Sequence, residues 1–334
     1  MEKVIREKLI NEANALARRI GEHRRPNSLL LPLFSDLHAQ SAEDGIVELI
    51  AEALGDTVRA TEADAVINLG DNLAMLGRMY HITNESLKET LTAVLDRIDE
   101  AFECPMLAVN GNHDGVGTDF YLPELWRGIV KDKYHPGVAD YDSTGGYFYT
   151  DFEKASVRLV FLSLPSGSDL TAEHPTPLWR FGEDQLRWLS DTALDTELDV
   201  LLFCHVPIWY ESNESTETLL GTWNGERATL STIRALCGWI EDRDRAAQII
   251  NTSGRVKACF SGHIHTASLR MPYEELDGIK NPLACPQYVT VRPATPCDEN
   301  TAGFGFDVIL YTPGEKAIHL FRFGDGEDTV ISLD

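Results

Sequence analysis

The sequence predicts an α/β fold built in layers. Short apolar runs of strand length alternate with stretches whose apolar residues recur at helical spacing. Five of those apolar runs end at once in short polar clusters rich in Asp, Asn and His. The chain has 334 residues, of which 43% are hydrophobic, enough for a sizeable core and too many for a disordered chain.

In chain order, Val4, Ile5, Leu9, Leu16 and Ile20 fall near one face of an N-terminal helix. Residues 29–34 form the first expected strand. A helix follows with Ile46, Val47, Ile50, Ala51, Leu54 and Val58 on its apolar stripe, then a strand over 65–69. Leu87, Leu91, Val94, Leu95 and Ile98 mark a helix over 85–102, and 106–109 is the third strand. Residues 147–152 and 157–164 read as an antiparallel pair joined through Glu153-Lys154-Ala155. A helix is expected over 183–194, buried strands over 200–204 and 256–260, a polar loop over 211–224 and a mostly helical stretch over 226–247. The last strands are expected at 287–292, 305–311 and 317–323, with Pro313-Gly314 turning the chain between the last two. No stretch reads as a domain linker, so residues 25–334 are taken as one domain and residues 1–24 as an N-terminal helical extension.

Composition narrows the class of function. The net charge is −24 and the sequence pI about 4.7. Such a surface repels phosphate backbones, which disfavours bulk nucleic-acid binding. None of the six cysteines forms a Cys-x-x-Cys pair, and Cys104, Cys204 and Cys259 lie in or beside apolar runs. They read as small buried hydrophobes in a reducing compartment. The first residues lack an apolar core of signal-peptide length, and no run approaches a membrane span. The expected location is cytoplasmic, with no membrane partner.

The chemistry sits in the five clusters. Strand 29–34 leads into Ser35-Asp36-Leu37-His38, and strand 65–69 into Gly70-Asp71-Asn72. Strand 106–109 leads into Asn110-Gly111-Asn112-His113-Asp114, strand 200–204 into His205-Val206-Pro207, and strand 256–260 into Ser261-Gly262-His263-Ile264-His265. Carboxyl ends of parallel strands share one edge, so side chains distant in sequence converge there. Mixed Asp, Asn and His donors suit one or two divalent ions of intermediate hardness. Gly70, Gly111 and Gly262 suit sharp turns in which the backbone approaches the ions. Each cluster alone is a weak signal; five in this order, each after a strand, are a strong one.

Those residues resemble the calcineurin-like metallophosphoesterase superfamily. Its successive motifs, D-x-H, G-D-x, G-N-H-D/E, a lone H and G-H-x-H, stand here as DLH, GDN, GNHD, the His of CHVP, and GHIH. The resemblance implies a four-layer α/β/β/α sandwich with a dimetal site at the carboxyl ends of the strands. It implies that Asp36, His38, Asp71 and His265 hold one ion and that Asp71, Asn112, His205 and His263 hold the other, Asp71 bridging the two. It implies two divalent transition-metal ions, manganese, iron or zinc foremost, and a hydroxide between them that attacks a small phosphate ester in line. By the same resemblance His113 faces the substrate, with Asp114 orienting it, as the catalytic pair.

Branches of the superfamily differ in these motifs. Protein phosphatases continue the second motif as G-D-x-V-D-R-G and end the third in Glu; here the second continues Asn72-Leu73-Ala74-Met75 and the third ends in Asp114. Purple acid phosphatases carry a tyrosine where Ala74 stands and lack the first-motif His, whereas His38 is present. DLH with GNHD is similar to the phosphodiesterase branches, including class III cyclic-nucleotide and glycerophosphodiester phosphodiesterases. A phosphomonoesterase with the same centre is the alternative, and a non-catalytic scaffold or metal-binding protein the alternative from another class. Trp209, Tyr210, Trp223, Arg78 and Arg127, in loops expected around the ions, are candidates for substrate contact or simple packing.

Overall fold

The computed structural model describes residues 3–74, 83–114, 140–141, 146–163, 166–167, 178–211, 219–223, 226–229, 239–276, 279–293 and 304–334. The first sheet combines β1 (Leu29–Phe34), β2 (Val66–Asn68), β3 (Met106–Ala108), β11 (Gly305–Tyr311), β12 (Ala317–Gly324) and β13 (Thr329–Ser332), in the order β13-β12-β11-β1-β2-β3. Strands β1, β2 and β3 are parallel, and β11 runs antiparallel to β1. The second sheet contains β4 (Asp140–Tyr141), β5 (Phe148–Phe152), β6 (Val157–Leu162), β7 (Asp199–Cys204), β8 (Val256–Ser261), β9 (Ser268–Arg270) and β10 (Gln287–Val289). Its order is β9-β10-β8-β7-β6-β5-β4, with β6, β7, β8 and β10 parallel.

Side-chain alternation assigns each strand two apolar faces. Leu29, Leu31 and Leu33 of β1 join a core with Leu159, Phe161, Leu201, Phe203 and Phe260 of the second sheet. Leu30 and Phe34 point the other way, onto α1 (Lys3–His23), α2 (Gly45–Thr61) and α3 (Asn84–Asp99). On the far side of the second sheet, Val160, Leu162, Leu202 and Cys204 pack on α4 (Glu183–Trp188) and α5 (Arg243–Ser253). Strands covered on both faces read as continuous apolar runs, which is why they were legible. We read the three clusters as the seams of a four-layer α/β/β/α order. Phe148, Phe161, Phe203 and Phe260 stack across β5 to β8 with centroids 4.4, 4.9 and 5.3 Å apart.

Helix starts follow local chemistry. Asp44 accepts the Ile46 N–H ahead of α2, and Thr83 accepts the Ser86 N–H at 3.3 Å ahead of α3. Leu9, Ala13, Leu16 and Ile20 of α1 are buried in the same cluster as α2 and α3, while Val4 is 62% exposed. Arg6 of α1 pairs with the buried Asp56 of α2. Among the described residues no helix is long and apolar enough to cross a membrane.

Several expected elements differ. Residues 226–229 form a strand paired with 219–223, whereas a helix was expected at the first and a loop at the second; 230–238 and 212–218 lie outside the described residues. Among the described residues of that stretch, Trp239–Ile240 form a short strand and 243–247 are helical as expected, in a helix that buries Ala246, Ala247 and Ile250. Helix α4 gives way at Leu189–Ala193 to a wider turn closed by the Leu194 N–H to the Leu189 carbonyl at 3.0 Å. Strand β13 was not anticipated; its short, half-exposed T-V-I-S stretch carries too few apolar residues to stand out.

A polar clasp joins the two sheets. The Asp307 carboxylate of β11 accepts from Thr290 Oγ1 at 2.6 Å, Tyr288 OH at 3.0 Å and Arg322 Nε at 2.9 Å. Asp307 and Arg322 are 1% and 7% exposed. Breaking a buried pair from one side leaves an uncompensated charge, so R322M should lower unfolding free energy by about 3–5 kcal/mol. Urea denaturation checks this, and D307N/R322M, which removes both charges, should recover most of the loss.

Candidate metal centre

The five polar clusters meet at one end of the molecule, and they come from two sheets. Asp36, Asp71 and Asn112 follow β1, β2 and β3 of the first sheet; His205 and His263 follow β7 and β8 of the second. The sequence reading placed them on a shared strand edge; the structure brings two edges face to face, with the inter-sheet core beneath.

The chain leaves these strands in the left-handed region. Asp36 (φ 60°), His38 (50°), Asp71 (55°), His263 (72°) and His265 (62°) all have positive φ. Asp and His tolerate that region better than most residues, and neighbouring loops hold them there. Asp36 N donates to the Gly70 carbonyl at 2.9 Å, His38 N to the Asp71 carbonyl at 3.0 Å, and Gly262 N to the His205 carbonyl at 3.0 Å. Two glycines are required by close approach. A Cβ on Gly111 would collide with the Asp71 backbone N and carboxylate, and one on Gly262 with the Ser35 hydroxyl and the Asp36 carboxylate.

The side chains form three overlapping groups, Asp36/His38/His265, His38/Asp71/His113 and Asp71/His205/His263, each with its donor atoms within 4.8 Å of one another. His38 Nε2 lies 3.0 Å from His265 Nε2, and His265 Nε2 lies 3.4 Å from Asp36 Oδ1. His205 Nε2 lies 3.2 Å from Asp71 Oδ2, 3.0 Å from Asn112 Oδ1 and 3.2 Å from His263 Nδ1. Asp71 Oδ2 is also 3.8 Å from Nε2 of both His38 and His113, which makes it the common atom. Its other oxygen accepts the His113 backbone N–H at 2.7 Å. Asp36 accepts the His263 N–H at 2.9 and 3.1 Å. His205 Nδ1 lies 2.8 Å from the Leu69 carbonyl; donating there leaves Nε2 facing the cluster.

Electrostatics follow from burial and crowding. Burial lowers the His38 pKa to about 3 and also lowers that of His113, against the pull of Asp71. Burial would also lower His205, but Asp71 and Asp36 lift it to about 9. Burial alone would raise Asp36 and Asp71; histidines hold both below the ordinary carboxylate range, His265 foremost for Asp36 and His205 for Asp71.

The donor set fits divalent ions. Ring nitrogens of His38 and His265, and of His205 and His263, converge at 3.0–3.2 Å. Oxygen and imidazole donors together suit manganese, iron or zinc.

Asp114 does not reach the His113 ring as expected. Its oxygens accept from Asn72 N at 2.7 Å, Gly111 N at 2.9 Å, Asn72 Nδ2 at 3.1 Å and Leu73 N at 3.3 Å, and the buried His113 Nδ1 has no hydrogen-bond partner among the described residues. Burial, with Asp71 adding to it, raises the Asp114 pKa to about 7. Trp209 is 2% exposed and packs on Ile279, Val289 and Ile264, so its ring fills the loop. Arg78 and Arg127 lie outside the described residues, as do the side chains of Tyr210 and Trp223. Sequence reading missed Arg292, whose backbone N–H approaches the His265 carbonyl at 3.4 Å and whose Nε is buried without a hydrogen-bond partner among the described residues. It stands outside every motif, so only spatial proximity reveals it.

G111A tests the close approach. It should retain native far-UV circular dichroism and lose most of its bound metal, read by elemental analysis after dialysis against Mn²⁺. Wild-type metal content would show that the loops part without consequence.

A search of curated proteins returned no match in sequence. Among solved structures, the chain is similar to a dimetal phosphatase from Danio rerio, with a TM-score of 0.59 and 14% identity over 92% of this chain and 99% of that one; at that identity the likeness concerns the fold alone. A Vps29 variant from Entamoeba histolytica aligns over 90% of this chain and 97% of that one, with a TM-score of 0.30 and 9% identity. The family model described as calcineurin-like phosphoesterase matches residues 33–267, more than half the chain and all five clusters, so this protein belongs to the calcineurin-like phosphoesterase family.

Proposed function

We propose that the protein hydrolyses phosphate esters with two divalent transition-metal ions, and that its substrates are small phosphodiesters. The observation that carries this reading is Asp71 Oδ2, which lies 3.2 Å from His205 Nε2 and 3.8 Å from Nε2 of both His38 and His113 and so belongs to two of the three donor groups. Asp36, His38, Asp71 and His265 would hold one ion, and Asp71, Asn112, His205 and His263 the other. Bound there, the ions would draw in phosphoryl oxygens and make water acidic enough to supply a nucleophile near neutral pH.

The chain's own residues do the rest. The His113 N–H holds one Asp71 oxygen, which leaves the other facing the His38, His113 and His205 rings. The His113 ring overhangs this carboxylate, with Nε2 3.8 Å from Oδ2. Burial favours its neutral form, which can donate a single N–H to a phosphoryl or leaving oxygen. Arg292, whose backbone N–H meets the His265 carbonyl, is the candidate to lend a cation to a bound phosphate. The preference for diesters rests on the DLH and GNHD motifs, which are similar to the phosphodiesterase branches.

Three outcomes are expected. Chelated protein should be inactive, and Mn²⁺-reconstituted protein should cleave bis(p-nitrophenyl) phosphate faster than p-nitrophenyl phosphate. The reverse preference would make it a monoesterase, and no turnover with both ions bound would favour a non-catalytic role. H113A should keep both ions and lose about 10²–10⁴-fold in kcat; wild-type turnover in metal-replete H113A would remove His113 from the chemistry. R292A should lose roughly 10- to 100-fold in kcat/KM, since a charged hydrogen bond contributes about 1.5–3 kcal/mol; unchanged kcat/KM would leave Arg292 a packing residue.

A further inference from the structure

We infer that Asp114 is a positioning residue that couples the two ion positions by clasping the Asp71 loop to the Asn112 loop, an inference that rests on the dimetal reading above. The clasp is reciprocal. Asp71, on the loop after β2, accepts the backbone N–H of His113 on the loop after β3 at 2.7 Å. In return Asp114, on the second loop, accepts Asn72 N at 2.7 Å and Leu73 N at 3.3 Å on the first. Its second oxygen takes Gly111 N at 2.9 Å and Asn72 Nδ2 at 3.1 Å. The Asn72 amide carries the lattice onward: its Oδ1 accepts from Asn68 Nδ2 at 2.7 Å, and Asn68 Oδ1 accepts Gly70 N at 2.9 Å. Asp114 and Asn72 are 1% and 0% exposed, so water cannot substitute for these partners.

The consequence is positional. The clasped amides belong to the residues just after Asp71 and just before Asn112, while the His113 ring has no bond from Asp114. Asp114 therefore sets the shared carboxylate and Asn112 in register with each other. All four groups facing Asp114 are N–H donors, so it serves only as an acceptor. An amide in its place turns an NH₂ toward two of those donors, which makes Asp114→Asn a sharp substitution. Because the clasp fixes the ligand common to both positions, losing it weakens both ions together. Removing a residue that serves one position, such as Asn112, weakens that ion first.

The test is a calorimetric titration of the chelated full-length chain with Mn²⁺ alone. Wild type should take up two ions. D114N should keep native far-UV circular dichroism and lose about 10- to 100-fold in affinity at both steps, the usual range for residues that orient metal ligands. In the double variant N72D/D114N, which reverses donor and acceptor across the 3.1 Å bond, part of that loss should return. At saturating Mn²⁺, kcat of D114N should fall with KM little changed. Two wild-type binding steps in folded D114N would overturn the inference, as would a loss confined to one step. If D114N does not fold, N72A, which removes only the side-chain arm, is titrated instead; a weaker loss at both steps supports the coupling, and unchanged binding overturns it. Wild type that binds two ions yet hydrolyses no ester would end the hydrolase reading while the titration still decides the clasp.

Discussion

A carboxylate that must stay ionised in a buried place is the constraint from which the rest of this structure follows. Asp71 is 1% exposed, and an isolated charge there would be prohibitively unfavourable. It is offset by the His205, His113 and His38 rings around it and by a backbone N–H aimed at one oxygen. Those partners come from three separated stretches of chain. Bringing them within hydrogen-bonding reach requires two strand edges to face each other and requires glycine where the backbones touch.

The two-sheet core makes that approach rigid. The stacked phenylalanines of β5 to β8 and the leucines of β1 fill the space between the sheets, and the Asp307–Arg322 clasp ties β11 and β12 to the segment after β10. Close-packed interiors deform little, so loops at the end of such a core inherit its precision. Left-handed backbone at five site residues is tolerable because neighbouring loops supply hydrogen bonds that keep it there. The overall charge of −24 is a property of the surface; the centre itself combines acids with an excess of imidazole.

Much of this was legible in the sequence. Strands buried on both faces are continuous apolar runs, so β1, β6, β7, β8 and β11 announced themselves, and the polar clusters after them marked the site residues. The helix expected over 226–247 is met at 243–247, where Ala246 and Ala247 are buried, whereas 226–229 pair with 219–223 as a strand. Strand β13 went unseen because an edge strand shows one apolar face only.

Sequence by itself determined the family, the order of the motifs and the residue types able to hold ions, since those depend on local spacing and on the chemistry of each side chain. Tertiary structure alone decided that the clusters come from two sheets, that Asp71 Oδ2 is the common atom and that Asp114 grips backbone instead of the His113 ring. It also decided that Trp209 is packing and that Arg292 stands beside His265. The physical reason is that hydrogen bonds and burial are fixed by distances across the fold, between residues whose separation along the chain carries no record of them.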